Sequence, residues 1–91
     1  MKYAVKFTTQ FKKDLKLAQR QGRDIDALFE VVEQLAEGKQ LDRKYRDHIL
    51  RNSGGVHDCH IQPDWILLYE YAEDVAVLVL YRIGSHSRLS L

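Results

Sequence analysis

The run His57-Asp58-Cys59-His60-Ile61-Gln62-Pro63-Asp64-Trp65-Ile66-Leu67-Leu68-Tyr69 constrains this chain more than any other part of it. Pro63-Asp64 is a turn signal, because proline presets φ and aspartate bonds back onto its own backbone. The residues on either side read as two strands of a hairpin. The second strand is almost wholly apolar, which predicts an interior strand covered on both faces. His60 enters the turn, and Asp64 and Trp65 leave it, so imidazole, carboxylate and indole meet at one end of a sheet. Alternation puts His60 with Asp58 and Val56 on one face, and His57 with Cys59 and Ile61 on the other.

The rest of the chain builds the frame for that hairpin. Lys2 to Lys6 alternates polar and apolar residues, with Tyr3 and Val5 on one face, and predicts a short first strand. Thr8 or Thr9 offers an N-cap to a helix whose apolar stripe is Phe7, Phe11, Leu15 and Ala18. Gly22 ends that helix. Asp24 can cap a second helix, in which Ile25, Leu28, Phe29, Val32, Leu35 and Ala36 recur at helical spacing and which Gly38 stops. So short a connection predicts antiparallel neighbours. Lys39 to Ser53 is polar and basic, with Tyr45, Ile49 and Leu50 as expected anchors. Strands are expected at Val56–Gln62, Trp65–Ala72 and Val75–Arg82, with a turn at Glu73-Asp74. The result is one α+β domain over residues 1–91. Its expected order is strand, helix, helix, strand, strand, strand, with the helical hairpin packed on a small antiparallel sheet.

Charge separates along the chain although the net value is only +1. Residues 1–23 carry seven Lys or Arg against Asp14 alone. Residues 24–37 carry five acids and no base, and residues 39–51 carry five bases against Asp42 and Asp47. The basic face of the first helix is Lys12, Lys13, Lys16 and Arg20. The basic loop adds Arg43, Lys44, Arg46 and Arg51. Clustered cations of this kind are the electrostatic footprint of a nucleic-acid binder. A solvated mixed-charge hairpin is the plainer alternative on composition alone. The single cysteine, Cys59, excludes an internal disulfide. No apolar signal core follows the first basic residue. The longest apolar run, Val75 to Tyr81, is far shorter than the ~20 residues of a membrane span. A reducing cytoplasm and no membrane association are expected.

Four histidines, His48, His57, His60 and His86, lie in the second half and outside both helices. Histidine moves protons near neutral pH, though for any one of them taken singly a surface or packing role is the commoner one. His57-x-x-His60 is not a zinc pattern on a strand, because the two rings diverge, and no cysteine pair supports it. Gly54-Gly55 lacks the lysine and following helix of a phosphate loop, and no serine sits on a nucleophile elbow. Cleavage of RNA by its own 2′-hydroxyl needs a base, an acid and a cation for the charge on the phosphorane. Histidines, an aspartate and an arginine supply all three with no metal and no cofactor. Trp65 or Tyr69 can stack on an unpaired base, though core packing is the commoner use of both.

At these residues the sequence resembles the YafQ-type mRNA interferases of bacterial toxin–antitoxin systems, within the RelE/ParE superfamily. Phe11-Lys12-Lys13-Asp14-Leu15-Lys16-Leu17-Ala18 looks like the family's first helix, and Tyr45-Arg46-Asp47-His48 like its basic loop. The stretch 57–69 looks like its core motif, and Arg82-Ile83-Gly84-Ser85-His86-Ser87 like its C-terminal motif. The resemblance implies a RelE/ParE-like fold and a ribosome-dependent endoribonuclease acting on mRNA. It also implies a DNA-binding antitoxin of the DinJ/RelB kind as partner, in a higher-order heteromer. It places function on His48, His60, Asp64, Trp65, Arg82 and His86, and leaves His57 outside. Ser90 departs from the family's aromatic residue near the C-terminus. His86 is expected as general acid, His48 with Asp64 as base, His60 as an orienting group or second base, and Arg82 against the phosphorane. The competing readings are a toxin of the same fold that acts by binding, either gyrase-directed or catalytically inactive, and an unrelated small RNA-binding domain.

Overall fold

The structure, a computed structural model, describes residues 2–91. Thr8 accepts the Phe11 N–H at 3.0 Å and starts helix α1, Thr9–Arg20. Gly22, at φ +72°, reverses the chain, while the Gly22 and Arg23 N–H groups bond back to the Gln19 and Ala18 carbonyls. Asp24 then accepts the Ala27 N–H and starts helix α2, Ile25–Ala36. Gly38 closes α2 in the same way, with Lys39 N–H on the Gln34 carbonyl.

Strands β1 (Ala4–Phe7), β2 (His48–Ile49), β3 (His57–Gln62), β4 (Trp65–Ala72) and β5 (Val77–Gly84) form one sheet in the order β1-β5-β4-β3-β2. The fold is α+β as expected, with β3, β4 and β5 as an antiparallel meander. Both strands read as interior lie inside the sheet. Three details differ from the sequence reading. The first strand is shifted to Ala4–Phe7 and pairs parallel to β5. The basic loop contains a two-residue strand, β2, too short to show any periodicity. Ile49 is 59% exposed rather than an anchor, and Leu41 is buried instead.

The core lies between the two helices and one face of the sheet. Phe11, Leu28, Val31 and Leu35 of the helices pack with Cys59, Leu67, Tyr69, Leu78, Leu80 and Ile83 of the strands. Burial in this layer pushes the Cys59 thiol up, with the nearby Asp47 and Asp58 adding to it. Register assigns the other face. Cross-strand partners share a face, so His48, Asp58, Leu68 and Arg82 form one row across β2, β3, β4 and β5. His60, Ile66 and Gly84 form the next row. The polar chemistry is therefore carried on the face turned away from the helices.

Candidate active site

The turn after β3 delivers Asp64, and the tail after β5 folds back to meet it. The backbone N–H of His86 reaches Asp64 Oδ1 at 3.0 Å, and His86 Nδ1 lies 2.6 Å from the same oxygen. Gly84 leaves room for this reversal: a Cβ there would approach Arg88 Cδ to 3.2 Å and Leu89 Cδ2 to 3.3 Å. The His86 backbone and ring together hold the Asp64 carboxyl below its ordinary range. The His86 ring meets His60 edge-on, with ring centroids 5.2 Å apart. Asp64 thus serves His86, not His48 as the sequence reading paired it. The tail's return is a long-range event that local patterning does not show.

His48 sits on β2 directly opposite Asp58 and so diagonal to His60, roughly 7–8 Å away at Cα. Its Nδ1 lies 2.8 Å from the Arg46 carbonyl. A carbonyl only accepts, so Nδ1 carries the proton and the neutral ring keeps its lone pair on Nε2. Such a ring is arranged to accept a proton from the exposed side.

Asp58 lies between His48 and His60. It is 4% exposed, and among the described residues its Oδ1 is a buried side-chain oxygen with no hydrogen-bond partner. His60 Nε2 stands 3.6 Å away, beyond hydrogen-bond distance. An unmet buried acceptor costs about 1–3 kcal/mol.

Arg82 is held from behind. Its Nε donates to Asp14 Oδ2 at 2.7 Å and its Nη2 to Asp14 Oδ1 at 3.1 Å. These bonds to Asp14 raise the guanidinium's already high pKa. Asp14 also accepts the Ile83 N–H and Gln10 Nε2, and Arg88 Nη2 lies 3.6 Å away. Burial alone would raise the Asp14 pKa, but the bonds from Arg82, Gln10 and Ile83 outweigh it and the carboxyl lies below its usual range. The Nε–Nη2 edge of Arg82 is therefore occupied, and its Nη1 group remains for a ligand.

Trp65 is corrected by the structure. Its ring is 1% exposed, within the layer between helices and sheet, and the Arg23 guanidinium covers it at 5.5 Å. No face is free to stack on a base. An indole beside a turn reads equally as platform or as core, and here the burial of its large apolar surface decides. All eight basic residues assigned to RNA, Lys12, Lys13, Lys16, Arg20, Arg43, Lys44, Arg46 and Arg51, are exposed. Lys44 and Arg46 line a groove of about 520 Å³ with Tyr45, His60 and Gln62, next to the histidines. The α1 cations lie on the helix that supplies Asp14 to Arg82.

His57 lies on the helix-facing side, as alternation required. It stacks on Tyr69 with ring centroids 4.7 Å apart. The sequence reading left Asp14, Asp47 and Asp58 without roles. Asp14 had a visible signal, a carboxylate within the apolar stripe of α1 and the one acid in a basic segment. Asp58 had one also, sharing the His60 side of its strand. Among the described residues, no group of three or more His, Cys, Asp and Glu is placed to hold a metal ion. No described helix is long and apolar enough to cross a membrane.

Residues 3–91 match the family described as bacterial toxin of type II toxin-antitoxin system, YafQ. The chain is 36% identical over 87 residues to the mRNA interferase toxin YafQ of Escherichia coli strain B, covering 93% of this chain and 92% of that protein. The K12 protein of the same name is 34% identical over the same length. Among solved structures, the toxin in the E. coli DinJ–YafQ complex superposes with a TM-score of 0.88 at 35% identity, over 96% of this chain and 97% of that one. A metal-bound toxin from Helicobacter pylori gives 0.91 at 36% identity, over 96% and 98%.

Proposed function

The chain belongs to the YafQ family of bacterial type II toxins, and we propose that it cuts mRNA on the ribosome by metal-independent acid–base catalysis, with the RNA's own 2′-hydroxyl as nucleophile. The His86–Asp64 pair packed edge-on against His60 carries this reading. Asp64 engages Nδ1 of His86, which leaves Nε2–H turned outward as the general acid. His48 Nε2 is the general base. It takes the 2′-hydroxyl proton, the 2′-oxygen bonds to the adjacent phosphorus, and the bond from phosphorus to the 5′-oxygen breaks. His86 protonates that departing oxygen. His60, paired with Asp58 when charged, orients the 2′-hydroxyl or shares the base role. The free Nη1 group of Arg82 faces the phosphorane charge.

The products are a 2′,3′-cyclic phosphate, or the 3′-phosphate from its hydrolysis, and a 5′-hydroxyl. Sequencing the ends of mRNA cut on programmed ribosomes tests this. A 2′-deoxy nucleotide at the scissile position is expected to block cleavage, and chelators to have no direct effect. Fragments bearing 5′-phosphates would rule the mechanism out, since attack by a 2′-hydroxyl cannot make them.

Phosphate tracking by the eight exposed cations adds a salt signature. Each phosphate contact contributes a slope of roughly −0.7 to −0.9 in log K against log salt. Ribosome affinity should therefore fall steeply between low and high salt. A flat response in a filter-binding titration would remove the basic residues from the interface.

The partner supported by family membership is a DNA-binding antitoxin of the DinJ/RelB kind, in a higher-order heteromer. The E. coli relative is solved as a complex with DinJ. The outer surface of the helical hairpin is its proposed dock, and the cytoplasm, with its ribosomes, is the proposed site of action.

A further inference from the structure

β2 is the weakest part of the site's frame, because it holds two residues, both exposed, at a sheet edge. Two ladder pairs with β3 and the Leu50 N–H on the Val56 carbonyl are its backbone ties. Yet β2 carries His48, whose aim must be held closely for proton transfer. Asp47, the residue before it, points the other way. Tyr69 Oη donates to Asp47 Oδ1 at 2.6 Å, and His57 Nδ1 lies 3.2 Å from the same oxygen. Tyr69 is fully buried in the middle of β4, and His57 is its cross-strand partner. The Tyr71 ring closes the cluster, edge-on to Tyr69 at 5.8 Å and to His57 at 6.2 Å. On the far side of Asp47, Arg46 adopts the left-handed conformation at φ +50° and presents its carbonyl to His48 Nδ1.

We infer that Asp47, clasped by Tyr69 and His57 on the helix-facing side of the sheet, is a positioning residue that aims His48 on the opposite face. Consecutive side chains of an extended chain point to opposite faces, so a clamp on residue 47 fixes the direction of residue 48. Tyr69 supplies the rigid end of the clamp, because its ring cannot move without disturbing the core. His57 supplies the second donor. Neither touches the face that carries the reaction. The inference rests on the proposed role of His48 as base.

The test compares Asp47→Ala, Asp47→Asn and Tyr69→Phe in cleavage of mRNA on programmed ribosomes, alone and combined with His48→Ala. A misaimed catalytic group costs up to roughly 10²-fold. Asp47→Ala is expected to lower kcat by about 10–100-fold with KM within a few fold. Asp47→Asn keeps the oxygen that accepts from Tyr69 and should recover most of the rate. In the His48→Ala background, Asp47→Ala should add little. If Asp47→Ala does not fold, Tyr69→Phe, which deletes one hydroxyl, is read by the same criteria with a smaller expected loss. An unchanged kcat, a loss that asparagine fails to restore, or an equal further loss without His48 would each overturn the clamp. A His48→Ala protein that cleaves normally would instead refute the assignment of His48 as base, which is a different failure.

Discussion

Replacing His86 by alanine is expected to slow mRNA cleavage by roughly 10²–10⁴-fold, the usual cost of losing a general acid. Ribosome affinity should stay within a few fold, because His86 is one side chain among many exposed cations. The expectation is local in origin. Asp64 engages Nδ1, so Nε2 is the single position from which the ring can deliver a proton outward. Alanine would leave Asp64 with the backbone N–H of residue 86 alone. His48→Ala belongs to the same class of effect. His57→Ala should do much less, since His57 lies on the other face and Tyr69 still grips Asp47 without it. Single-turnover cleavage and ribosome binding, measured on the same preparations, separate these outcomes. A His57→Ala rate as low as that of His86→Ala would contradict the face assignment. The depressed pKa of Asp64 fixes the sign of the pH dependence of its contact with His86. The His86–Asp64 pair is intact above that pKa and weakens as pH falls through it.

Asp14→Ala is expected to cost about 1–3 kcal/mol of stability, the range for leaving a buried hydrogen-bonding group unmet. Asp14 is 2% exposed and answers Arg82, Gln10 and the Ile83 N–H at once. Its loss strands a partly buried guanidinium and a buried backbone donor together. The denaturant midpoint should drop sharply, and cleavage by the surviving folded fraction should fall as well, because Arg82 loses its orientation. An unchanged midpoint would show that these bonds contribute nothing net. The pH dependence has a definite sign. The folded-state pKa of Asp14 is depressed, so its contribution is fully present above the unfolded value of about 3.9. It is lost as pH falls through the folded value.

Local patterns in the sequence carry much of this fold and site. The hairpin about Pro63-Asp64, both helices with their caps, and the divergence of His57 from His60 all follow from period and turn chemistry. Those signals act within a few residues. What escaped them depends on contacts distant in sequence. Asp14 and Arg82 are 68 residues apart, and nothing local ties one to the other. Asp64 and His86 are 22 apart and meet only because the tail turns back at Gly84. β2 escaped because two residues cannot display a period. Trp65 escaped for another reason: its residue type suits a stacking platform and a core equally well, and only the position of α1 and Arg23 decides between them.

The parallel pairing of β1 with β5 imposes an order in time. A ribosome makes Ala4–Phe7 before the other strands and Val77–Gly84 after them, yet the two lie side by side. Until β5 emerges, β1 has no neighbour, Asp14 has no guanidinium, and Asp64 has no imidazole. Pairings so distant along the chain also close slowly, since a long loop must be ordered first. A nascent chain is thus unarmed until its last strand and tail have been made. In the same interval its unpaired β1 edge and unfilled core stay exposed.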